Sequence, residues 1–443
     1  MNAWWTRYLP EIIREWFEGR HQLQKTIGNT GWLMFDKVVR MLIGLTIGAW
    51  IARYLGPAQF GELAYVISFI AFFQVIPDLQ ADGVIIRDIA QGRGETPVIL
   101  GTALYLRLFF GVVAWLCASG LMFIMHPHDS QLLLLTVIVG GTMVFQSAEV
   151  VDHWFQSQSQ SRRTVLAKLV VYLFSNSVKV FLLLDKAPLI AFAWVMCLEC
   201  ATFALSLSVA YHRFPTDRQW TATFSQAKTL LHQCWPFIAS SLMITTYMRI
   251  DQIMLKEMLG EKALGIFAAA QPLSHAWNVI PATLVTSLAP FVARKMSLDE
   301  KSYTETLVII FRLFAIVSLL GAALTALVSP YLIEFLYGPQ YQLTADVLKI
   351  HVFVNIFIFQ GTAQTLWVIN NNVRGVNVFG TFMAAAIGVI SNLFFIKAFG
   401  VMGAVYAILL AQCTSVVIMP CLLRKDLRML YIRAFVPFSS NRM

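Results

Sequence analysis

From Gly31 to Phe73 the chain holds two apolar runs joined by the turn Leu55-Gly56-Pro57. At 1.5 Å of rise per residue, each run is long enough to cross a hydrocarbon core about 30 Å thick. Backbone amides in lipid must be satisfied inside the segment, so the pair is read as a transmembrane helical hairpin. Its first arm nevertheless carries Asp36, Lys37 and Arg40. Ionic side chains at bilayer depth are costly, so they are expected to face a bundle interior or a hydrated cavity and to serve function there. The turn comes twice. Leu55-Gly56, followed by Gly61 and Ala64, recurs 204 residues later as Leu259-Gly260, followed by Gly265 and Ala268. That repetition predicts two related membrane halves.

Apolar segments cover roughly 31 to 54, 60 to 83, 98 to 125, 131 to 154, 164 to 184 and 188 to 211, then 233 to 256, 263 to 290, 306 to 330, 346 to 370, 372 to 397 and 400 to 423. The expected fold is an all-α polytopic membrane protein of about twelve transmembrane helices, six in each of two lobes. Its parts are an amphipathic interfacial segment (1–30, with Trp4, Trp5, Tyr8, Trp16 and Phe17), an N-lobe (31–211), a linker (212–232), a C-lobe (233–423) and a basic tail (424–443). An even number of spans per half gives both copies one orientation, as in parallel-repeat transporters. Pro272, Pro281 and Pro290 are expected to bend or break the 263–290 helix. Together with Pro77, Pro236, Gly140-Gly141 and Gly388, they free backbone groups where helices can hinge.

Only 13% of the residues are charged and 58% are hydrophobic, whereas a soluble domain carries about 25% charged residues. The net charge of +9 is dispersed among short loops rather than gathered in a patch, which argues against a nucleic-acid partner. Twenty of the 33 Lys and Arg fall on the side that holds the N-terminus, five on the other and eight within spans. By the positive-inside rule both termini are expected to be cytoplasmic. No segment is large enough for a soluble catalytic domain, and no Gly-x4-Gly-Lys-Ser/Thr loop is present to bind nucleotide. The chain is therefore expected to be a transporter rather than an enzyme, without cofactor or metal and driven by a transmembrane H+ or Na+ gradient. The first 30 residues hold no apolar core of the kind a cleavable signal needs. Cys197-x-x-Cys200 lies inside a predicted helix and reads as packing, not as a redox or metal pair.

The in-span cations are Lys37, Arg40, Arg107, Lys168, Lys179, Arg249, Arg312 and Lys349. The acids in or at the ends of spans are Asp36, Asp78, Asp82, Glu149, Asp152, Glu199 and Asp251. Asp36 and Arg40 stand four apart and can pair on one helical face, whereas Arg249 and Asp251, two apart, cannot. Lys168, Arg312 and Lys349 lie close enough to span ends to snorkel. Arg40, Arg107 and Arg249 lie deeper, and with Lys37 and Lys179 they are the candidates to line a cavity for an anionic head group, since guanidinium and ammonium groups complement phosphate. Asp251 and Glu199 are the candidates to carry a proton or hold a sodium ion, although structural ion pairing explains them equally well. His275 and His351 are of a type that can titrate near neutral pH, but lone helical histidines are read as packed or interfacial.

ARYLGPAQFGELAYVISFIAFF (52–73), GVIIRDIA (83–90), RIDQIML (249–255) and LGIFAAAQPLS (264–274) resemble the polysaccharide biosynthesis transporters known as O-antigen or Wzx flippases. These belong to the superfamily of multidrug, oligosaccharidyl-lipid and polysaccharide exporters. The resemblance covers almost the whole chain after residue 30. It implies two six-helix lobes forming a V that opens to either side in turn. The implied substrate is an undecaprenyl-diphosphate-linked oligosaccharide, moved from the cytoplasmic to the periplasmic leaflet of a bacterial inner membrane. Membrane lipids, a polysaccharide polymerase and a chain-length regulator are the implied partners. DLQADG (78–83) departs from the family's commoner Leu-Gly-Leu-Asp pattern. A multidrug cation antiporter of the same superfamily is the first alternative, and a membrane polysaccharide polymerase or ligase the second.

Overall fold

The computed structural model describes residues 21–214, 219–371, 373 and 375–435. The aromatic residues of the expected interfacial segment lie outside them. Among the described residues helices are the regular structure, joined by short turns and loops, without a strand. Among the described residues, ten helices are long and apolar enough to cross a membrane, the first of which, Met34–Ala90, contains both arms of the hairpin. The expected span 233–256 lies within the helix Phe224–Leu259, which is not among the ten. It carries Thr245, Thr246, Arg249, Asp251, Gln252 and Lys256 along its length.

The hairpin is α1 (His21–Asp78), kinked at Gly56 (φ 75°, ψ 169°). Its counterpart in the second half is the break between α9 (Phe224–Leu259) and α10 (Glu261–His275), where Gly260 has φ 86° and ψ 176°. The sequence repeat is thus a repeat of backbone conformation, in the left-handed region that glycine enters at little cost. The same geometry occurs a third time at Gly338 (φ 82°, ψ 179°), in Leu336-Tyr337-Gly338-Pro339, which ends α12 (Glu300–Tyr337). The Gly338 amide caps α12 by donating to the carbonyls of Ile333 and Glu334, and Pro339 cannot continue the helix. At its other end α12 starts where the Asp299 carboxylate accepts from the amides of Lys301 and Ser302. Those bonds hold the Asp299 carboxyl below the usual carboxylate pKa.

Along α12 the buried positions recur every three or four residues and include Ser318, Gly321, Thr325 and Ser329, while Leu320, Leu324, Leu327 and Phe335 are exposed. Small and hydroxylated residues inside and large apolar ones outside are what a lipid solvent selects, because helices there associate through close packing rather than by hiding apolar surface. The expected break of the 263–290 helix occurs at 276–278, a 3-10 turn between α10 and α11 (Val279–Leu298). Pro281 lies four residues beyond Trp277 and offers no amide to its carbonyl.

The chain forms two compact units. One comprises the described residues up to Ile47 together with Phe69–Ala239; the other comprises Gly48–Ser68 together with the described residues from Ser240 onward. In the first, α2 (Asp82–Ala90), α3 (Thr96–Met125), α6 (Glu149–Ser157) and the end of α8 (Leu189–His212) enclose a core around Ile85, Ile99, Trp154, Phe155 and Tyr211. In the second, α12 packs on α14 (Val354–Asn370) through Phe311, Phe314 and Phe359.

DLQADG makes the turn between α1 and α2, and there Leu79 (φ 53°) and Gln80 (φ 47°) both take left-handed backbone. An L-residue pays roughly 1–2 kcal/mol for that conformation. Leu79 is buried but Gln80 is exposed, so Gln80→Gly relieves strain without removing a packed side chain. We expect it to raise stability by about 0.5–1 kcal/mol, read as the unfolding midpoint of the purified protein.

Candidate functional site

In the first unit, a cavity of about 300 Å³ is lined by Asp36, Arg40, Gln146, Glu149, Lys168, Tyr172, Glu199 and their apolar neighbours. It draws on α1, the 3-10 turn Gln146–Ala148, α6, α7 (Ser161–Leu184) and α8. Arg40 Nε pairs with Asp36 at 2.7 Å, the i,i+4 pair expected from spacing. The guanidinium also lies over the Tyr172 ring at 4.7 Å, and the Tyr172 hydroxyl donates to the Arg40 carbonyl at 3.0 Å. Opposite them, Glu199 accepts from Lys179 (2.9 Å) and from Ser175 (2.5 Å). The structure thus brings three predicted residues, Arg40, Lys179 and Glu199, to one place, but each cation there already holds an acid. Lys37, on the same helix, is exposed and has no ion pair or hydrogen bond from its side chain among the described residues.

Arg107 lies behind the cavity wall in the same unit, joined to it through Glu149, with 2% of its side chain exposed. Asp78 (3.3 Å), Glu149 (3.5 Å) and Asp82 (4.0 Å) surround it, and His153 Nε2 lies 3.0 Å from its Nη1 and 2.9 Å from Asp82. Here the guanidinium ties together the ends of α1 and α2 with α3 and α6. Lys168, expected to snorkel, instead reaches inward to the buried Asp152 at 2.7 Å. Without Lys168, Asp152 would be left as an uncompensated buried charge.

Arg249 and Asp251 belong to the second unit, on α9. Asp251 is buried; its Oδ1 accepts from the Gln252 amide at 2.8 Å, and its Oδ2 has no partner. Arg249 is half-buried and makes no hydrogen bond or ion pair with another described residue, although it lies within electrostatic reach of Asp251 and His275. Around them runs a chain of buried polar groups that charge-focused reading of the sequence missed. Gln252 accepts from Ser68 (2.5 Å) and donates to Gln271 (2.8 Å), while Asn355 donates to the Ser274 carbonyl (2.9 Å). The rings of His275 and His351 lie 5.7 Å apart, and neither nitrogen of His351 has a partner. Polar residues recurring inside apolar helices, Gln252, Gln271, Asn355 and Gln360, were the available signal. Among the described residues no group of three His, Cys, Asp or Glu is arranged to hold a metal ion.

The all-helical architecture and the ten membrane-length helices among the described residues define the class as a multi-pass, all-helical membrane fold. Solved structures agree on that fold. The chain superposes on an inward-facing multidrug resistance MATE transporter of the MOP superfamily with a TM-score of 0.72 and 14% identity, covering 88% of this chain and 95% of that one. Against the lipid II flippase MurJ in an inward closed conformation the TM-score is 0.71 at 13% identity, covering 92% of each chain. A MOP superfamily transporter from Pyrococcus furiosus, described as having a binding pocket of reversed polarity, gives 0.63 at 14% identity, with 93% and 96% covered. No curated protein sequence matches the chain. The family model described as polysaccharide biosynthesis protein matches residues 27–296, and the chain belongs to that family.

Proposed function

We propose that the protein is a flippase that carries an undecaprenyl-diphosphate-linked oligosaccharide from the cytoplasmic to the periplasmic leaflet of a bacterial inner membrane. The observation that carries this reading is membership of the polysaccharide biosynthesis family over 27–296 in a chain with a MOP transporter fold. A diphosphate and its sugars cannot enter about 30 Å of hydrocarbon without losing their water. A hydrated path lined with cations lets the head group pass while the lipid tail stays in the bilayer.

Among the described residues Arg249 and Lys37 form no ion pair, which leaves them ready to take phosphate oxygens. Arg40 and Lys179 must first give up Asp36 and Glu199. That exchange supplies a route for ion coupling. A diphosphate that takes over these cations leaves the two carboxylates without counter-charge in a confined site, where a proton or sodium ion has to replace it. Asp251, with one oxygen unpartnered, is the matching candidate in the second unit.

Proteoliposomes loaded with labelled lipid-linked oligosaccharide test the reading directly, with surface polysaccharide as the cellular readout. Arg249→Ala is expected to lower export at least about tenfold, and Arg249→Lys to keep part of it, because the charge remains while the bidentate fork is lost. Unchanged export in Arg40→Ala, Arg107→Ala and Arg249→Ala alike overturns the cationic path. The three acids lining the first unit's cavity also suit an organic cation, which favours multidrug antiport as the second reading. Drug efflux without movement of lipid-linked sugar selects it.

A further inference from the structure

The last span ends at α17 (Met419–Leu423), and α18 (Lys425–Phe435) follows after Arg424, whose extended backbone (φ −134°, ψ 114°) interrupts the helix. The inner face of α18, Leu427, Leu430, Tyr431 and Ala434, is buried in the core of the second unit. Polar contacts pin it there. Arg312, expected to snorkel, donates instead to the carbonyls of Arg433 (2.6 Å) and Ala434 (2.9 Å), where a cation also meets the negative end of the helix dipole. The Tyr431 hydroxyl donates to the Val416 carbonyl at 3.1 Å, inside the π-helical turn Thr414–Ile418.

The outer face is chemically different. Arg424, Lys425, Arg428 and Arg433 are all exposed, Asp426 is the one acid among them, and none of the four cations forms an ion pair with a described residue. Met429, Ile432 and Phe435 are exposed beside them. Within α18, Lys425, Arg428, Ile432 and Phe435 follow one another at intervals of three, four and three, so they form a single stripe along the helix, and Arg424 leads into it. A helix in water does not leave three large apolar side chains unburied, and one inside hydrocarbon does not carry four cations. Both together, at the end of a span, are the chemistry of the membrane interface.

We propose that Arg424, Lys425 and Arg428, with Ile432 and Phe435, form a binding site for an anionic phospholipid, the cations taking the head-group phosphate and the apolar pair lying against the acyl chains. A soluble acidic protein or free phosphate matches the cations and leaves the apolar half of the stripe in water, so the lipid is the occupant that satisfies both. Because α18 is fastened to α12 and to the π-helical turn, occupation of this site tightens the second unit.

The test uses the full-length protein in nanodiscs of phosphatidylcholine, with and without phosphatidylglycerol. Retained lipid is counted by native mass spectrometry and stability is read from thermal unfolding. Basic side chains near an anionic surface attract it strongly enough that about a tenfold preference for phosphatidylglycerol is expected, and the preference should fall as salt is raised. Phosphatidylglycerol should also raise the unfolding midpoint. The triple variant Arg424→Gln, Lys425→Gln, Arg428→Gln should bind both lipids alike while unfolding as wild type does in phosphatidylcholine. The single variant Arg428→Gln should lose part of the preference. Equal retention of the two lipids by wild type, a preference untouched in the triple variant, or complete displacement of the lipid by inorganic phosphate each overturns the proposal.

Discussion

Gly61→Ala is expected to destabilise the protein by about 3 kcal/mol, lowering the unfolding midpoint by roughly 3 °C in a chain of 443 residues. The reason is a seam in the second unit where the two copies of the repeated turn meet. A methyl group on Gly61 would collide with the carbonyl of Glu261 and crowd the amide of Gly265; one on Gly265 would collide with the carbonyl of Pro57 and crowd the amide of Gly61. Glu261 and Gly265 are Pro57 and Gly61 displaced by the same 204 residues, so each copy packs on the equivalent positions of the other. The obstacles are backbone atoms, which cannot swing aside as a side chain can. Nor can the helices slide apart cheaply. Tyr65 donates to Glu257 (2.7 Å), Ser68 to Gln252 (2.5 Å), Tyr341 to the Ala52 carbonyl (2.8 Å) and Gln340 to the Arg53 carbonyl (2.5 Å). Gly265→Ala should cost a similar amount, and the double variant less than the sum of the two, because a seam opened by one methyl group accommodates the other. Gly48→Ala is the control. It meets nothing within 4 Å, and in a helix interior it should gain about 0.5–1 kcal/mol. Thermal unfolding of the purified variants in detergent decides the matter, and equal midpoints for Gly61→Ala and Gly48→Ala would sink the argument.

This seam also marks how far the sequence could be read. Leu55-Gly56 and Leu259-Gly260 were legible as a repeat because glycine at a turn leaves a local signature, and the positive φ at both confirms what they do. The third turn, at Gly338, belongs to no repeat of that length and so went unnoticed. Helices and their breaks follow from hydropathy and from Pro281, which are local as well. Ion pairs divide along the same line. Asp36 with Arg40 could be foreseen from a spacing of four, and that pair is present. The acids on Arg107 come from chain positions 29, 25 and 42 residues away, on three other elements, and no periodicity encodes them. Arg312 looked like a snorkelling side chain because of its place along α12, whereas its actual partners are the last carbonyls of a helix more than a hundred residues later. Charge within a span was readable from composition; the group that neutralises it required the fold.

Arg107→Met is expected to be the most damaging single substitution in the first unit, costing about 3–5 kcal/mol and the folded protein with it in cells. Removing the guanidinium leaves Asp78, Glu149 and Asp82 facing one another around a site where the arginine is 2% exposed. Their mutual repulsion and lost hydration fall on the junction of α1, α2, α3 and α6. Adding Asp78→Asn and Glu149→Gln to Arg107→Met removes two of the stranded charges, and Asp82 keeps His153 at 2.9 Å. That triple variant should therefore recover most of the lost stability, measured as yield and unfolding midpoint. Its transport activity then separates two roles that the static arrangement combines. Under the proposed function, if Arg107 serves only to hold the unit together, the refolded triple variant moves lipid-linked oligosaccharide at close to the wild-type rate. If instead Arg107 leaves its acids to take the diphosphate during the cycle, the triple variant folds and does not transport. Failure of the triple variant to recover stability would show that the network acts through shape and hydrogen bonding rather than through balanced charge, and would refute the electrostatic account on which both outcomes rest.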